Sequence, residues 1–472
     1  MAGFPDYEAY DGLGLAALVA RGEVSADELL EAAIERIEAR NPQFNAVVHK
    51  LYDHARAAIA AGLPEGPFTG VPYLIKDLYA PLEGTPCENG SRLFAGCISS
   101  ADSPLVARSK AAGLVILGKS ATAELGLTVT TETRHCGPTR NPWDPTRSTG
   151  GSSGGAAAAV AAGMVPLAHA SDGGGSIRIP ASACGLFGLK PTRARTPSGE
   201  GWAGLASHHV VSRSVRDSAA LLDATQGPVT GYPYAAPAPA RPFREEVGAE
   251  PGRLKIAWSW RHHMPEVTVE PDCRAAVEAA AKLAESLGHE VVEAAPKLDH
   301  AALGQAMMVI VCANTTATLD LGHPREARAV RADDVEHMAW ITAERGRERS
   351  AVDYIKAVET IHQVGRDLGA FLEDYDVLLS PTTAAVTPPI GKLDPQREDV
   401  DALVAEIMPY IAFTRIQNMS GHPAASLPLH WTDSGLPVGV QAVTRFGDEA
   451  TLFRLAAQLE AAQPWFDKQP AL

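Results

Sequence analysis

Cysteine is scarce in this 472-residue chain. The six residues, Cys87, Cys97, Cys136, Cys184, Cys273 and Cys312, are scattered, and none falls in a C-x-x-C pair. That argues against a disulfide scaffold and against a cysteine-built zinc site, and it suits a reducing compartment. Positive charge is in the minority. Lysine and arginine number 41 against 56 aspartates and glutamates, the net charge is −15, and there is no basic run. Such a surface repels phosphate backbones, so nucleic acid is not an expected partner. Long apolar runs are also missing. The richest alanine and valine stretch is broken by Gly163 and Pro166, short of the roughly 20 residues a bilayer needs. The opening Met1-Ala-Gly-Phe-Pro-Asp-Tyr-Glu8 lacks the basic-then-apolar order of a secretory leader. The expectation is a cytoplasmic protein with no membrane partner.

Apolar material is ample. Hydrophobic residues make up 46% of the chain, enough for one large core or a few smaller ones. Strand-like and helix-like stretches alternate, which predicts an α/β fold. Asp11–Ala20 reads as a short helix. Ser25 and Glu28 form a capping box ahead of an apolar stripe of Leu29, Leu30, Ala33, Ile34 and Ile37. Gly70 to Lys76 reads as a buried strand ending in lysine. Gly227 to Phe243, rich in proline, reads as an extended surface connection. Leu254–Trp258, a helix from Pro271 to Leu287 and His289–Val292 make a βαβ unit, hence parallel pairing. Residues 300–375 read as helical, polar and less regular. A final helix runs from Glu449 to Ala461.

The most informative stretch runs from Ser148 to Pro180. Two glycine-rich turns each present serine: Gly150-Gly-Ser152-Ser153-Gly-Gly155 and Gly173-Gly174-Gly175-Ser176. The alanine-rich run Ala156–Ala162 between them favours a helix. Glycine lets another group approach the backbone closely. A serine held in such a turn, with backbone N–H groups beside it, has the parts of a nucleophile with an oxyanion hole. A Gly/Ser linker is the plain alternative, but helix-forming and ordered-looking segments follow at once.

These motifs, with Ile179-Pro-Ala-Ser-Ala-Cys-Gly-Leu-Phe-Gly-Leu-Lys-Pro-Thr192 and the upstream Gly70-Val-Pro-Tyr-Leu-Ile-Lys76-Asp77, resemble the amidase-signature hydrolases. The resemblance is strongest from Gly66 to Thr196 and returns from Asp376 to Trp465. It implies one domain over 1–472, built on a large mixed β-sheet flanked by helices on both faces. Within it, 1–64 is a helical lead-in and 65–226 the signature core. Residues 244–375 form a variable region covering the substrate, and 376–472 hold the closing strands and C-terminal helix.

The family's roles carry over position by position. The resemblance implies Ser176 as nucleophile, Ser152 as proton relay and Lys76 as a buried, neutral base. It implies a cis peptide at Gly151–Ser152. Gly173, Gly174 and Gly175, with the N–H of Ser176, would form the oxyanion hole. Ser153, Asp172 and Arg178 would support the loops, the last two as an ion pair, with binding of a substrate carboxylate the alternative for Arg178. Cys312 is a candidate pocket residue, or a small buried hydrophobe. Gly173 departs from the threonine or isoleucine common in the family, and His169 from a smaller apolar residue. The chemistry implied is hydrolysis of linear, cyclic or aryl amides through an acyl-enzyme. Carbamates and esters are the alternative substrates. No cofactor or metal is implied, and the sequence leaves monomer and homodimer open.

Other readings fit less of the chain. Gly150-Gly-Ser152-Ser-Gly154 matches the G-x-S-x-G of α/β-hydrolases, but His208, His209, His289, His362 and His422 offer no distinctive partner, and Lys76 would go unexplained. A glutamine-hydrolysing amidotransferase subunit shares the triad but works inside a complex. A catalytically dead binding protein would not keep all three triad residues. A phosphate loop would end in Gly-Lys-Ser/Thr, which is absent here.

Overall fold

The computed structural model describes residues 4–197, 201–262, 264 and 267–472; Met1–Gly3 of the opening segment lie outside them. One 11-stranded sheet runs through the molecule. Its strands are β1 (Val47–Lys50), β2 (Pro72–Lys76), β3 (Val115–Ser120), β4 (Leu167–Asp172), β5 (Phe187–Lys190), β6 (Ser207–Ser212), β7 (Lys255–Trp258), β8 (Glu290–Glu293), β9 (Val377–Pro381), β10 (Ala424–Trp431) and β11 (Pro437–Thr444). Their order across the sheet is β1-β3-β2-β4-β6-β5-β10-β11-β9-β7-β8. β2 lies parallel to β3 and β4, and β7 parallel to β8 and β9. The other neighbours are antiparallel, so the sheet is mixed, as the resemblance implies.

The central strands are covered on both faces. All five residues of β2 and all six of β4 are buried. A strand covered on both sides needs apolar side chains in both directions, hence the unbroken Val71-Pro-Tyr-Leu-Ile75 before Lys76. Helix Gly154–Ala161 packs beneath the sheet with all eight residues buried, and larger side chains would not fit between it and its neighbours. The βαβ reading holds: helix Pro271–Ser286 links β7 to β8, which pair in parallel register. The capping box at Ser25 is formed, with Ser25 Oγ accepting from the Glu28 N–H.

The region from 300 to 375 differs from its sequence reading. It holds three regular helices, His300–Asp320, His337–Arg347 and Ala351–Asp374. The first is not polar. Among the described residues it is the one helix long and apolar enough to cross a membrane by length and composition. It packs against the other two. Apolar side chains turn both toward those helices and toward a cavity, which blurs the one-sided 3.6-residue pattern that marks a surface helix. Helix Tyr52–Ala60 falls in the expected helical lead-in, whereas Val400–Ile411 is a helix with no counterpart in the sequence reading. Pro409 inside Val400–Ile411 masks its helical signal.

Helix His337–Arg347 is tied down through a carboxyl pair. Glu124 accepts the Glu336 N–H at 2.7 Å and the Ser91 hydroxyl at 2.6 Å, and Glu336 accepts the Arg134 N–H at 3.0 Å. Burial pushes both carboxyls above the usual range, and Glu124 pushes Glu336 further. The folded state therefore favours the protonated forms. Stability drawn from the pair falls as pH rises through the ordinary carboxyl range, and it is lowest above both folded pKa values. Glu336→Gln keeps the acceptor and removes the ionisation. Its thermal midpoint should match the parent's at pH 5 and exceed it at pH 9, by a stability on the order of 1 kcal/mol. Equal midpoints at both pH values would refute the shift.

Candidate active site

β2 ends by turning Lys76 into the interior, where the side chain is 0% exposed. Its Nζ lies 2.7 Å from Ser152 Oγ and 3.0 Å from Ser171 Oγ. Burial drives the pKa well below the ordinary lysine value, and the nearby Asp172 carboxylate only partly opposes it. A neutral amine has a lone pair to accept a proton, which an ammonium lacks.

The first glycine turn carries Ser152, and the Gly151–Ser152 peptide is cis. The turn is pressed against the 128–131 segment. A Cβ on Gly151 would lie 2.5 Å from the Thr130 carbonyl oxygen, so glycine is required there. Thr131 Oγ1 accepts the Gly154 N–H at 3.1 Å and donates to the Gly150 carbonyl at 3.0 Å. Ser153 Oγ accepts the Ser171 N–H and donates to the Ser171 carbonyl. Ser153 thus fastens the turn to β4 and sets Ser171 beside Lys76.

The second turn follows β4. Asp172 and Arg178 form a fully buried bidentate ion pair, with both N–O distances 2.9 Å. Arg178 also donates to Gln417, Gln441 and Asn418, and Asn418 returns a hydrogen bond to Asp172. Burial raises the Asp172 pKa, but Arg178, Lys190 and Asn418 outweigh it and hold the carboxyl down to about 2. The loop between is shaped around this pair. Gly175 has φ +141°, and a Cβ there would sit 2.3 Å from Thr414 Oγ1. Thr414 donates to the Gly174 carbonyl at 2.7 Å. No described residue accepts the N–H of Gly173, Gly174, Gly175 or Ser176. A Cβ on Gly173 would only touch the Trp202 ring at 3.5 Å, so this departure from the family pattern leaves open space beside the tryptophan.

Both turns open onto one cavity of about 860 Å³. Ser152, Ser171, Gly173, Gly174 and Ser176 lie on its wall, and helix His300–Asp320 supplies Met307, Val311 and Asn314 opposite. Five of the eight methionines, Met264, Met307, Met308, Met338 and Met408, line it. Ser176 is partly exposed there, and no described residue hydrogen-bonds its Oγ. Cys312 does not line the cavity. It is fully buried where helix His300–Asp320 meets Gly346, whose missing Cβ would fall 2.4 Å from the Cys312 carbonyl oxygen. Helical periodicity turns Val311 and Asn314 inward and Cys312 toward the neighbouring helix. The reading as a small buried hydrophobe fits the structure.

Three residues at the site lie in stretches that carry the resemblance but were given no role by the sequence. Ser171 holds Lys76 through a second hydrogen bond beside that to Ser152. Asn418 and Gln441 reach Arg178 from segments more than 200 residues away. His169 is not solitary: it pairs with His208 of β6 at 3.0 Å.

A separate polar group of His49, Asp77 and Glu88 has its potential ligand atoms within 4.8 Å of one another. Three chain segments contribute, so sequence spacing could not reveal it. The two carboxylates are well partnered, while His49 Nε2 has no hydrogen-bond partner among the described residues and lies 3.6 Å from Asp77 and 3.4 Å from Glu88. Glu88 meets His135 at 2.6 Å and accepts the Gly96 N–H, Asp77 accepts the Glu88 N–H, and the buried Lys119 adds positive charge nearby. None of the three lines the cavity. Turnover of an amide is therefore expected to survive exhaustive chelation undiminished. A loss that zinc restores would place a metal in the reaction.

Two serine turns, a buried lysine and unclaimed backbone N–H groups around one cavity define a class of hydrolase, and the family model described as Amidase matches residues 28–453. The chain belongs to the amidase family, enzymes that hydrolyse the carbon–nitrogen bond of amides. It is 38% identical over 478 residues to the 6-aminohexanoate-cyclic-dimer hydrolase of Pseudomonas sp. (strain NK87), spanning 98% of this chain and 96% of that protein. The solved structure of 6-aminohexanoate cyclic dimer hydrolase complexed with substrate superposes with a TM-score of 0.92 at 37% identity, covering 98% of this chain and 99% of the other. A bacterial aryl acylamidase superposes with a TM-score of 0.85 at 26% identity, covering 97% and 98%.

Proposed function

We propose that the chain hydrolyses uncharged carboxamides through a Ser176 acyl-enzyme, with Ser152 as proton relay and Lys76 as base. The observation that carries this is Lys76: fully buried, its pKa lowered, and 2.7 Å from Ser152 Oγ on the wall that also holds Ser176. The Ser152 hydroxyl gives its proton to Lys76 Nζ while taking one from Ser176. Ser171 accepts an N–H of Lys76, which leaves the lone pair free to turn to Ser152. Ser176 Oγ attacks the carbonyl carbon, and the N–H groups of Gly173 to Ser176 stabilise the oxyanion that forms. The proton held on Lys76 returns through Ser152 to the departing amine. Water then attacks the ester by the same route. Asp172 and Arg178 act on loop shape rather than on substrate, since each is saturated by buried partners.

Helix His300–Asp320 and its neighbours cover the substrate. Methionine is unbranched and adaptable, so five of them around one cavity favour bulky apolar groups of varied shape over one fixed outline. Linear aryl amides and cyclic amides are the substrates proposed, and the relatives that act on such compounds support the choice. The test is a matched panel of an aryl anilide, the 6-aminohexanoate cyclic dimer, an alkyl-aryl carbamate and glutamine, with the isolated chain. Turnover of the first two above glutamine is the expected result. Carbamate turnover far above both amides would move the substrate class, and activity on glutamine alone would point to an amidotransferase subunit.

A further inference from the structure

His208 sits on β6 directly opposite Ser171 of β4, the residue that takes a hydrogen bond from Lys76. It lines the same cavity as Ser152 and Ser176. Its ring lies beside that of His169 in nearly the same plane, with centroids 5.2 Å apart and planes 4° from parallel. His169 Nε2 lies 3.0 Å from His208 Nδ1.

The direction of that bond is decided at its far end. The backbone N–H of Lys76 donates to His169 Nδ1 at 3.2 Å, so this nitrogen bears a lone pair. A neutral imidazole has one N–H, and in His169 it must be on Nε2. It donates to His208 Nδ1. The same rule then puts the His208 proton on Nε2, which has no acceptor among the described residues. Both rings stay neutral: burial lowers both pKa values, that of His208 to about 4. A buried polar network is stable when every member is satisfied. Here every link is closed within the protein except the last N–H, on a ring that lines the cavity.

We propose that His208 is a substrate-binding residue whose Nε2–H donates to an acceptor oxygen of the bound substrate, in a tautomer set by His169 and the Lys76 backbone. This rests on the reading of Ser176 as nucleophile in the same cavity. The cavity wall is largely apolar, so one fixed donor separates substrates by whether an oxygen meets it. A single neutral hydrogen bond of this kind corresponds to about tenfold in specificity.

The test uses two pairs of anilides. In one pair an ether oxygen in the acyl chain is replaced by methylene; in the other the same replacement is made in the amine part. The parent should favour the oxygen member of at least one pair about tenfold in kcat/KM, mainly through KM. His208→Phe keeps a ring and loses the donor, and the preference should fall to about one. His208→Gln places an amide N–H near the Nε2 position and should restore most of it. Long-range ¹⁵N correlation spectra of the histidine-labelled parent should show His208 neutral at pH 6 with its proton on Nε2. A parent with no preference in either pair, a His208→Phe ratio equal to the parent's, or a proton on Nδ1 would overturn the assignment. Labelling by a small fluorophosphonate separates the two readings. If Ser176 of the parent is not labelled, the nucleophile assignment is wrong. If parent and His208→Phe are labelled alike but the ratio persists, only the His208 role is lost.

Discussion

Ser176→Ala is expected to lose on the order of 10⁴-fold or more in kcat/KM on an anilide, with the fold unchanged. The variant removes the atom that forms the acyl bond, and no other described group can replace it at the same place. It should still fold because the hydroxyl is partly exposed to the cavity and no described residue hydrogen-bonds it. Its deletion leaves no orphaned partner and no large void. Thermal melting of parent and variant should therefore coincide within about 1 °C while turnover collapses. Peptide mapping after fluorophosphonate treatment should place the label on Ser176. A label on Ser152 or Ser153 would reassign the nucleophile, since both stand in the neighbouring turn. Residual amide turnover at a tenth of the parent's rate would remove the acyl-enzyme from the mechanism.

The second large effect is expected at Lys76, and it depends on pH. The amine accepts a proton only when neutral, and burial lowers its pKa in the folded enzyme. As pH falls through that lowered value Lys76 takes up a proton, and the relay to Ser152 stops. The rate should therefore rise from acidic to mildly alkaline conditions and level off above the folded pKa. Lys76→Arg keeps a positive charge that is not lost at any working pH, so it cannot serve as base. Lys76→Ala removes base and charge together. Both should lose at least about 10³-fold on an amide, whose leaving amine needs the proton returned. An activated ester, with a better leaving group, should lose less in Lys76→Ala. The measurement is the pH–rate profile of all three proteins on a matched amide and ester. If Lys76→Arg keeps parental amide turnover at neutral pH, the base is another group.

The residues assigned to the chemistry were legible as motifs because their local requirements are strict. Gly151 and Gly175 admit no side chain where they approach Thr130 and Thr414, so glycine marks both turns. β2 is covered on both faces, so Lys76 stands out as the one charge at the end of an apolar run. The support was legible only where its partners are near in sequence. Asp172 and Arg178 lie six residues apart, and their ion pair could be read. Asn418 and Gln441 complete the same network from the far end of the chain, in segments that resemble the family's closing strands but show no sign of their partner.

The sequence by itself determined the alternation of strands and helices, the two serine turns, the lysine at a strand end and the capped lead-in helix. Each follows from propensity, glycine geometry or hydrogen bonds within a few residues of one another. Tertiary structure alone decided the rest. It placed β4 between β2 and β6, which set Ser171 against Lys76 and His208 against Ser171. It rotated helix His300–Asp320 so that Met307 and Val311 face the cavity and Cys312 does not. It buried Lys76, and so lowered its pKa, by closing the sheet and its helices around it. These depend on which distant segments meet, and burial and contact across hundreds of residues are properties of the packed chain that no local stretch contains.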